Sequence, residues 1–234
     1  MMGRRRALGL IAGGAAVTLS GCNLFGSGNR YKMTVEVETP SGVKTGYAVR
    51  EVTTYARVNG GDAMQVRGEA VAVDVAPGKT LFAVLSGEKG DVDYAAGIAK
   101  FALDSELSPG GANTDYDAGD FAELYPTYPK TESPIRFGAL PMLVMFANIR
   151  DPKSVVKVDP GDLAAHFGPG VKLKRITIEK TYAGVTGGIG ERFSWWQKYK
   201  LERRRLNGSN SVAISTNEIS DNMGTGAFST GIDQ

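Results

Sequence analysis

The chain has 234 residues, of which 42% are hydrophobic and 22% are charged. This composition is typical of a globular protein, and a formal net charge of +2 gives no argument for a nucleic-acid partner. A single cysteine excludes an internal disulfide framework, so apolar packing must hold the fold together.

The first residues are typical of an export signal. Arginines at positions 4–6 precede an apolar run over residues 7–19, which is too short and too rich in glycine and alanine for a stable membrane span. The next residues, Leu19-Ser20-Gly21-Cys22, resemble the lipobox of bacterial lipoprotein precursors, in which the cysteine thiol is acylated before cleavage. This resemblance implies that residues 1–21 are a signal peptide and that Cys22 is the lipidation site.

The same resemblance implies a location. The mature chain would be lipid-anchored in the cell envelope and face the periplasm, and asparagine at position 23 favours the outer membrane over the inner one. The arginines leave open whether export follows the general or the twin-arginine route. An ordinary secretory signal, or a transmembrane anchor that ends in a buried thiol, is the alternative interpretation of this segment.

Residues 22–30 predict a flexible tether, because glycine and serine within them impose little backbone preference, and residues 31–206 are predicted to form one globular domain. Its first strand shows strict alternation, with Tyr31, Met33, Val35 and Val37 separated by polar residues. Turn residues then mark off three more strands, at 43–58, 64–75 and 81–85. The last of these is continuously apolar, which indicates a strand covered on both faces.

Helices are predicted at residues 94–103, around Phe121, and from the Asp159-Pro160 start signal to Gly168. Further strands are predicted at 140–149, 155–158 and 172–181. The predicted fold class is therefore α+β: a β-rich, antiparallel meander sheet with a few short helices, in a single domain.

Residues 190–205 predict a late helix with a basic end, which contains Trp195 and Trp196. The two indoles either pack on the sheet or lie on anionic lipid beside the anchor, and the burial tendency of aromatic side chains favours packing. Residues 207–234 are rich in asparagine, serine, glycine and threonine, and predict a disordered tail.

Several motifs resemble catalytic signatures without their required context. Residues 41–46 contain S-x-x-K and K-T-G, and residues 220–222 read S-D-N, but the first two overlap in a hairpin turn and the third lies in the predicted tail. The glycines between positions 184 and 190 lack dinucleotide-binding spacing and predict a connector. His166, the only histidine, is predicted in the last turn of a short helix, where its charge would suit the helix dipole.

An acidic loop provides the best metal candidate. Asn113, Asp115, Asp117 and Glu123 alternate in a manner that suits calcium, although Ala118 stands where an EF-hand loop needs glycine. The alternative is a loop in which Asp117 caps a helix at Phe121. The sequence thus assigns no catalytic, cofactor-binding or metal-binding residue.

Residues 34–40 and 167–171 are similar to segments of uncharacterised bacterial envelope lipoproteins, which implies an envelope protein without an assigned activity. Two functions remain. The favoured one is a non-catalytic binding or scaffolding module, whose partners are membrane lipid through Cys22 and an envelope protein or glycan. The alternative is a hydrolase of cell-wall glycan that uses a set of carboxylates beside aromatic residues, namely Asp115, Asp117, Asp120 and Glu123 with Tyr116, Tyr125 and Tyr128.

Overall fold

The computed structural model describes residues 29–56, 58, 60, 62–103, 121–124, 140–210 and 218–231. Within these ranges the chain forms two antiparallel sheets with a few short helices, which confirms the β-rich α+β fold class. The first sheet contains β1 (Asn29–Thr39), β2 (Gly42–Ala56), β3 (Asp62–Glu69), β6 (Phe121–Leu124), β9 (Lys172–Lys180) and β10 (Ser229–Thr230). Their order across the sheet is β10-β3-β2-β1-β9-β6.

The second sheet contains β4 (Val71–Ala76), β5 (Lys79–Gly87), β7 (Pro141–Phe146) and β8 (Val155–Lys157), in that order. The prediction of one strand at 64–75 is wrong, because the chain leaves the first sheet at Glu69 and enters the second at Val71. Gly68 allows this crossing: its φ is +154°, and a Cβ there would lie 2.8 Å from the Cγ of Arg50. The predicted four-strand meander is therefore divided, with three strands in one sheet and the fourth in the other.

The helices are α1 (Tyr94–Leu103), α2 (Ala164–Phe167), α3 (Trp196–Leu201) and α4 (Ile219–Asn222). The bounds of α1 match the prediction, and α2 ends before Gly168 as expected but begins later than the Asp159-Pro160 signal indicated. The helix predicted around Phe121 is wrong, because those residues pair with β9 as strand β6. All four residues find backbone partners on β9, from Phe121 opposite Glu179 to Leu124 opposite Ile176, which a local sequence pattern cannot indicate.

The two sheets enclose the main core. Met33, Val35 and Val37 alternate inward from β1 and are fully buried, as the sequence pattern predicts. The sheets approach so closely at Gly46 of β2 that a Cβ there would overlap the carbonyl oxygen of Ala72 in β4. Residues 81–85 of β5 are buried on both faces, as predicted, because Leu81 contacts this core while Phe82 faces a second cluster.

This second cluster covers the outer face of the second sheet and is named here the aromatic layer. It consists of rings from both the sheet and the C-terminal segment: Phe82, Phe146, Phe193, Trp195, Trp196 and Phe228. The predicted packing of both tryptophans is confirmed, since Trp195 and Trp196 are buried there. The predicted helix over 190–205 is interrupted, because Phe193 takes an extended conformation that places its ring 4.8 Å from that of Trp195.

The structure differs from the prediction that residues 207–234 form a disordered tail. Residues 207–210 and 218–231 fold against the body, and Ser229 of β10 pairs with Glu69 of β3. Phe228 is fully buried, and its carbonyl accepts a hydrogen bond of 2.7 Å from the amide of Ala70. Composition alone missed this because, among the described residues of the segment, Met223 and Phe228 are the only buried apolar side chains. Strand β1 begins at Asn29, two residues before the predicted start of the domain.

A buried arginine joins the two sheets. Arg50 of β2 has no exposed surface, and its guanidinium donates to the carbonyl oxygens of Glu69 at 2.9 Å and of Ala83 at 3.3 Å. It also lies beside Tyr31, whose hydroxyl donates to the carbonyl of Ala95 in α1. Burial raises the pKa of Tyr31, and the nearby guanidinium opposes part of that rise. Within the described ranges no carboxylate forms an ion pair with Arg50.

Candidate functional site

Strand β1 separates two ends of the molecule. Its eleven residues extend about 34 Å from Asn29 to Thr39 at the usual rise of a strand. Asn29 lies at the end of the predicted tether, so we name its side of the molecule the tether end. Thr39 leads into the turn before β2, and we name that side the distal end.

Two turns enclose an open depression at the distal end. One turn, at Pro40 and Ser41, joins β1 to β2, and the other, at Pro77 and Gly78, joins β4 to β5. The two turns belong to different sheets, and the packing of the sheets brings them together. The space between them, named here the distal depression, has a volume of about 380 Å³ and is lined by Ser41, Lys44, Asp74, Val75, Ala76, Pro77, Gly78 and Thr80.

The negative charge in this depression is neutralised by its neighbours. Asp74 accepts two hydrogen bonds from the guanidinium of Arg192, at 2.8 and 3.1 Å, and a third from the hydroxyl of Thr80 at 2.7 Å. The hydrogen bonds from Arg192 have the largest effect on the pKa of Asp74, and they lower it. Partial burial raises the pKa and the Thr80 hydrogen bond lowers it, so that it lies below its ordinary value. Asp74 is therefore ionised and compensated near neutral pH.

Lys44 supplies the remaining charge of the distal depression. Its side chain is half-buried, and it makes no hydrogen bond or ion pair with any residue in the described part of the chain. An ammonium group beside hydroxyls and turn backbone suits a carboxylate or phosphate better than a cation. The chemistry that this surface offers is thus the binding of an anionic group.

The same residues show why the S-x-x-K motif is not a catalytic pair here. Ser41 lies in the turn, where its hydroxyl is 2.9 Å from that of Thr39, and no hydrogen bond joins Ser41 to Lys44. A nucleophilic serine needs a base within hydrogen-bonding distance. The S-D-N residues, at positions 220–222, lie in α4.

The acidic-loop candidates are only partly covered by the structure. Asn113, Asp115, Asp117 and Asp120, like Tyr116, Tyr125 and Tyr128, lie outside the described residues, as does Cys22. Glu123 lies in β6, where its backbone pairs with that of Thr177 in β9. The calcium and hydrolase hypotheses therefore stay predictions. Asp117 does not cap a helix at Phe121, because residues 121–124 form strand β6.

His166 lies in the last turn of α2, as predicted, and its carbonyl oxygen accepts a hydrogen bond from Lys79 at 2.8 Å. In the portion of the chain that the structure describes, no three histidine, cysteine, aspartate or glutamate side chains are grouped to hold a metal ion. The glycine-rich residues after β9 form a connector, as predicted. Thr186 in this connector hydrogen-bonds to the backbone of Val49 in β2.

Both distal turns were predicted from the sequence, but the depression between them was not. Proline and glycine marked each turn, yet nothing in the spacing of Lys44 and Asp74 shows that they line one surface. The sequence shows only turn residues with polar residues beside them, and that combination is too common to identify a site.

Among the described residues, none of the helices has the length and apolar composition needed to cross a bilayer. Comparisons of the chain with protein-family models, with curated proteins and with solved structures found no match.

Proposed function

We propose that the chain is a lipid-anchored lipoprotein of the bacterial cell envelope, and that its folded body is a non-catalytic binding module. The leader and Cys22 support the anchor. The observation that carries the rest is the arrangement along β1: the strand begins next to the tether, and the distal depression lies about 34 Å away at its other end. A chain anchored at Cys22 would hold this depression away from the membrane.

The uncompensated charge of Lys44 defines what the module binds. The proposed ligand is an anionic group, a carboxylate or phosphate, carried by an envelope partner. The wall of the depression contributes hydroxyls, and Asp74 does not repel an anion strongly because Arg192 neutralises it. A hydrogen bond to such a charged group contributes about 1.5–3 kcal/mol.

Replacing Cys22 with serine tests the anchor. We expect the native protein to incorporate labelled palmitate and to sediment with membranes, and we expect the Cys22→Ser variant to do neither, because serine lacks the thiol that is acylated. The chain has no second cysteine to substitute for the first. A variant that matures to the same size and remains equally membrane-bound would refute the proposed anchor.

Reversing the charge of Lys44 tests the depression. We expect Lys44→Glu to weaken co-sedimentation with purified peptidoglycan sacculi, or cross-linking to an envelope protein, by about tenfold or more, since 1.4 kcal/mol corresponds to a factor of ten. Lys89→Glu is the matched control, because Lys89 is exposed on the turn after β5, at the opposite end of that strand from the depression. Equal effects of the two variants would exclude the depression as the binding site.

The same sacculi address the alternative function. A hydrolase of cell-wall glycan would release soluble fragments from them, and Asp117→Asn would abolish the release if that carboxylate takes part. Release of fragments by the native protein would replace the binding-module proposal.

A further inference from the structure

The hairpin formed by β2 and β3 extends beyond the rest of the first sheet at the tether end. Asn29, where β1 begins, pairs with Val52, but β2 continues to Ala56 and remains paired there with Asp62 of β3. The four additional residues of β2 add about 14 Å at the usual rise of a strand. The hairpin thus extends past the start of β1 on the side where the tether enters, although Ala63, opposite Tyr55, is still buried there.

Large apolar side chains are exposed on this projection. Tyr55 and Met64 are about half exposed, and Val58, near the tip, is fully exposed. Tyr182 is also exposed; it directly follows Thr181, whose amide donates to the carbonyl of Arg30 at the start of β1. Single exposed apolar residues are ordinary, but a group of them at one end of a protein marks a contact surface.

The tether limits how far this surface can be from the anchored cysteine. Asn29 follows Cys22 by seven positions, so their Cα atoms are at most about 25 Å apart even in a fully extended chain. The part of β2 that extends past Asn29 spans about 14 Å of that distance. A lipid-anchored Cys22 therefore keeps the hairpin tip close to the bilayer surface.

The charges at this end suit an anionic bilayer. Arg30 of β1 and Arg67 of β3 share one carboxylate, that of Glu51, at 2.9 and 3.8 Å. Apart from the buried Arg50, the described charged residues at this end are four basic ones (Arg30, Lys32, Arg67 and Lys180) and three acidic ones (Glu51, Asp62 and Glu179), which leaves one net positive charge. A basic residue near an anionic lipid surface gains about 1 kcal/mol, and tyrosine favours the level of the lipid headgroups.

We infer that the β2–β3 hairpin is a second membrane contact, which places Val58, Tyr55 and Met64 among the headgroups of the bilayer that holds Cys22. This inference rests on the proposed lipid anchor. Two contacts, one at Cys22 and one at the hairpin, fix the orientation of the body, so that the distal depression points away from the membrane.

The experiment uses the full acylated chain in vesicles of phosphatidylethanolamine and phosphatidylglycerol. Acylation blocks the thiol of Cys22, so a polarity-sensitive fluorophore can be attached to a single new thiol in Val58→Cys. Val43→Cys is the matched control, because Val43 is also an exposed valine but lies in β2 at the distal end, opposite Glu38. We expect the label at position 58 to shift to the blue and to be quenched by spin-labelled lipid, and the label at position 43 to show neither change.

Other outcomes separate the two proposals. Protein that is bound to vesicles through Cys22, but whose label at position 58 behaves like that at position 43, would overturn the hairpin contact and leave the anchor intact. Protein that does not associate with vesicles at all would overturn the anchor. A label at position 58 that is shielded only at high protein concentration, without lipid quenching, would also overturn the inference and indicate contact with a second copy.

Discussion

Replacing Phe228 with alanine should lower the free energy of unfolding by about 3–5 kcal/mol, the usual range for a buried phenylalanine. The ring has no exposed surface and lies 5.8 Å from the ring of Phe82, 5.7 Å from that of Phe146 and 5.5 Å from that of Phe193. Its removal would leave a cavity at the centre of the aromatic layer, between the sheet and the segment that covers it. Urea denaturation followed by tryptophan fluorescence measures the loss, because Trp195 and Trp196 belong to the same layer.

Leu201→Ala is the control for this variant. Leu201 is also an apolar residue of the C-terminal segment, but it ends α3 and is largely exposed, so its replacement should change stability by less than about 0.5 kcal/mol. Equal stabilities for Phe228→Ala and the native protein would show that residues 218–231 are not a structural part of the body. They would also restore the disordered-tail prediction.

Replacing Arg50 with alanine should cost about 2–5 kcal/mol, because it opens a cavity between the two sheets where no solvent reaches. The net contribution of the guanidinium hydrogen bonds to the free energy of unfolding is smaller than that of the cavity. Each bond to a carbonyl stabilises the fold by about 1.5–3 kcal/mol, but keeping an ion without a carboxylate partner in the interior costs several kcal/mol. These two effects largely offset each other.

Arg50→Met separates the two contributions, since methionine is flexible, fills much of the same space and lacks the charge. We expect this variant to lie within about 1.5 kcal/mol of the native protein. Both variants lose the same hydrogen bonds to Glu69 and Ala83, so the difference between them measures the cavity. A methionine variant as unstable as the alanine variant would show instead that the hydrogen bonds hold the sheets together.

Local pattern predicted most single elements of this fold. The alternation along β1, the apolar run of β5 and the bounds of α1 are all properties that neighbouring residues determine. The failures occur where a distant partner decides. Residues 121–124 become a strand because β9 offers an edge, and the strand predicted at 64–75 divides because Gly68 can pass close to Arg50.

The same distinction applies to the candidate sites. The turns that carry Ser41 and Gly78 were evident from proline and glycine, but their approach to each other depends on how two sheets pack. The importance of Phe228 was hidden for a related reason: a segment of low hydrophobicity contributed one ring to a cluster built mainly from residues 82–196. Average composition cannot report the effect of a single well-placed side chain.

The aromatic layer also makes folding depend on the order in which the chain emerges from a ribosome or a translocation channel. Phe82 and Phe146 emerge early, whereas Met223 and Phe228, which complete the layer, emerge after all its other members. Until then the outer face of the second sheet is incompletely covered, and its apolar surface is exposed to chaperones and proteases. A chain interrupted before residue 223 would therefore leave this face without the cover that Met223 and Phe228 provide.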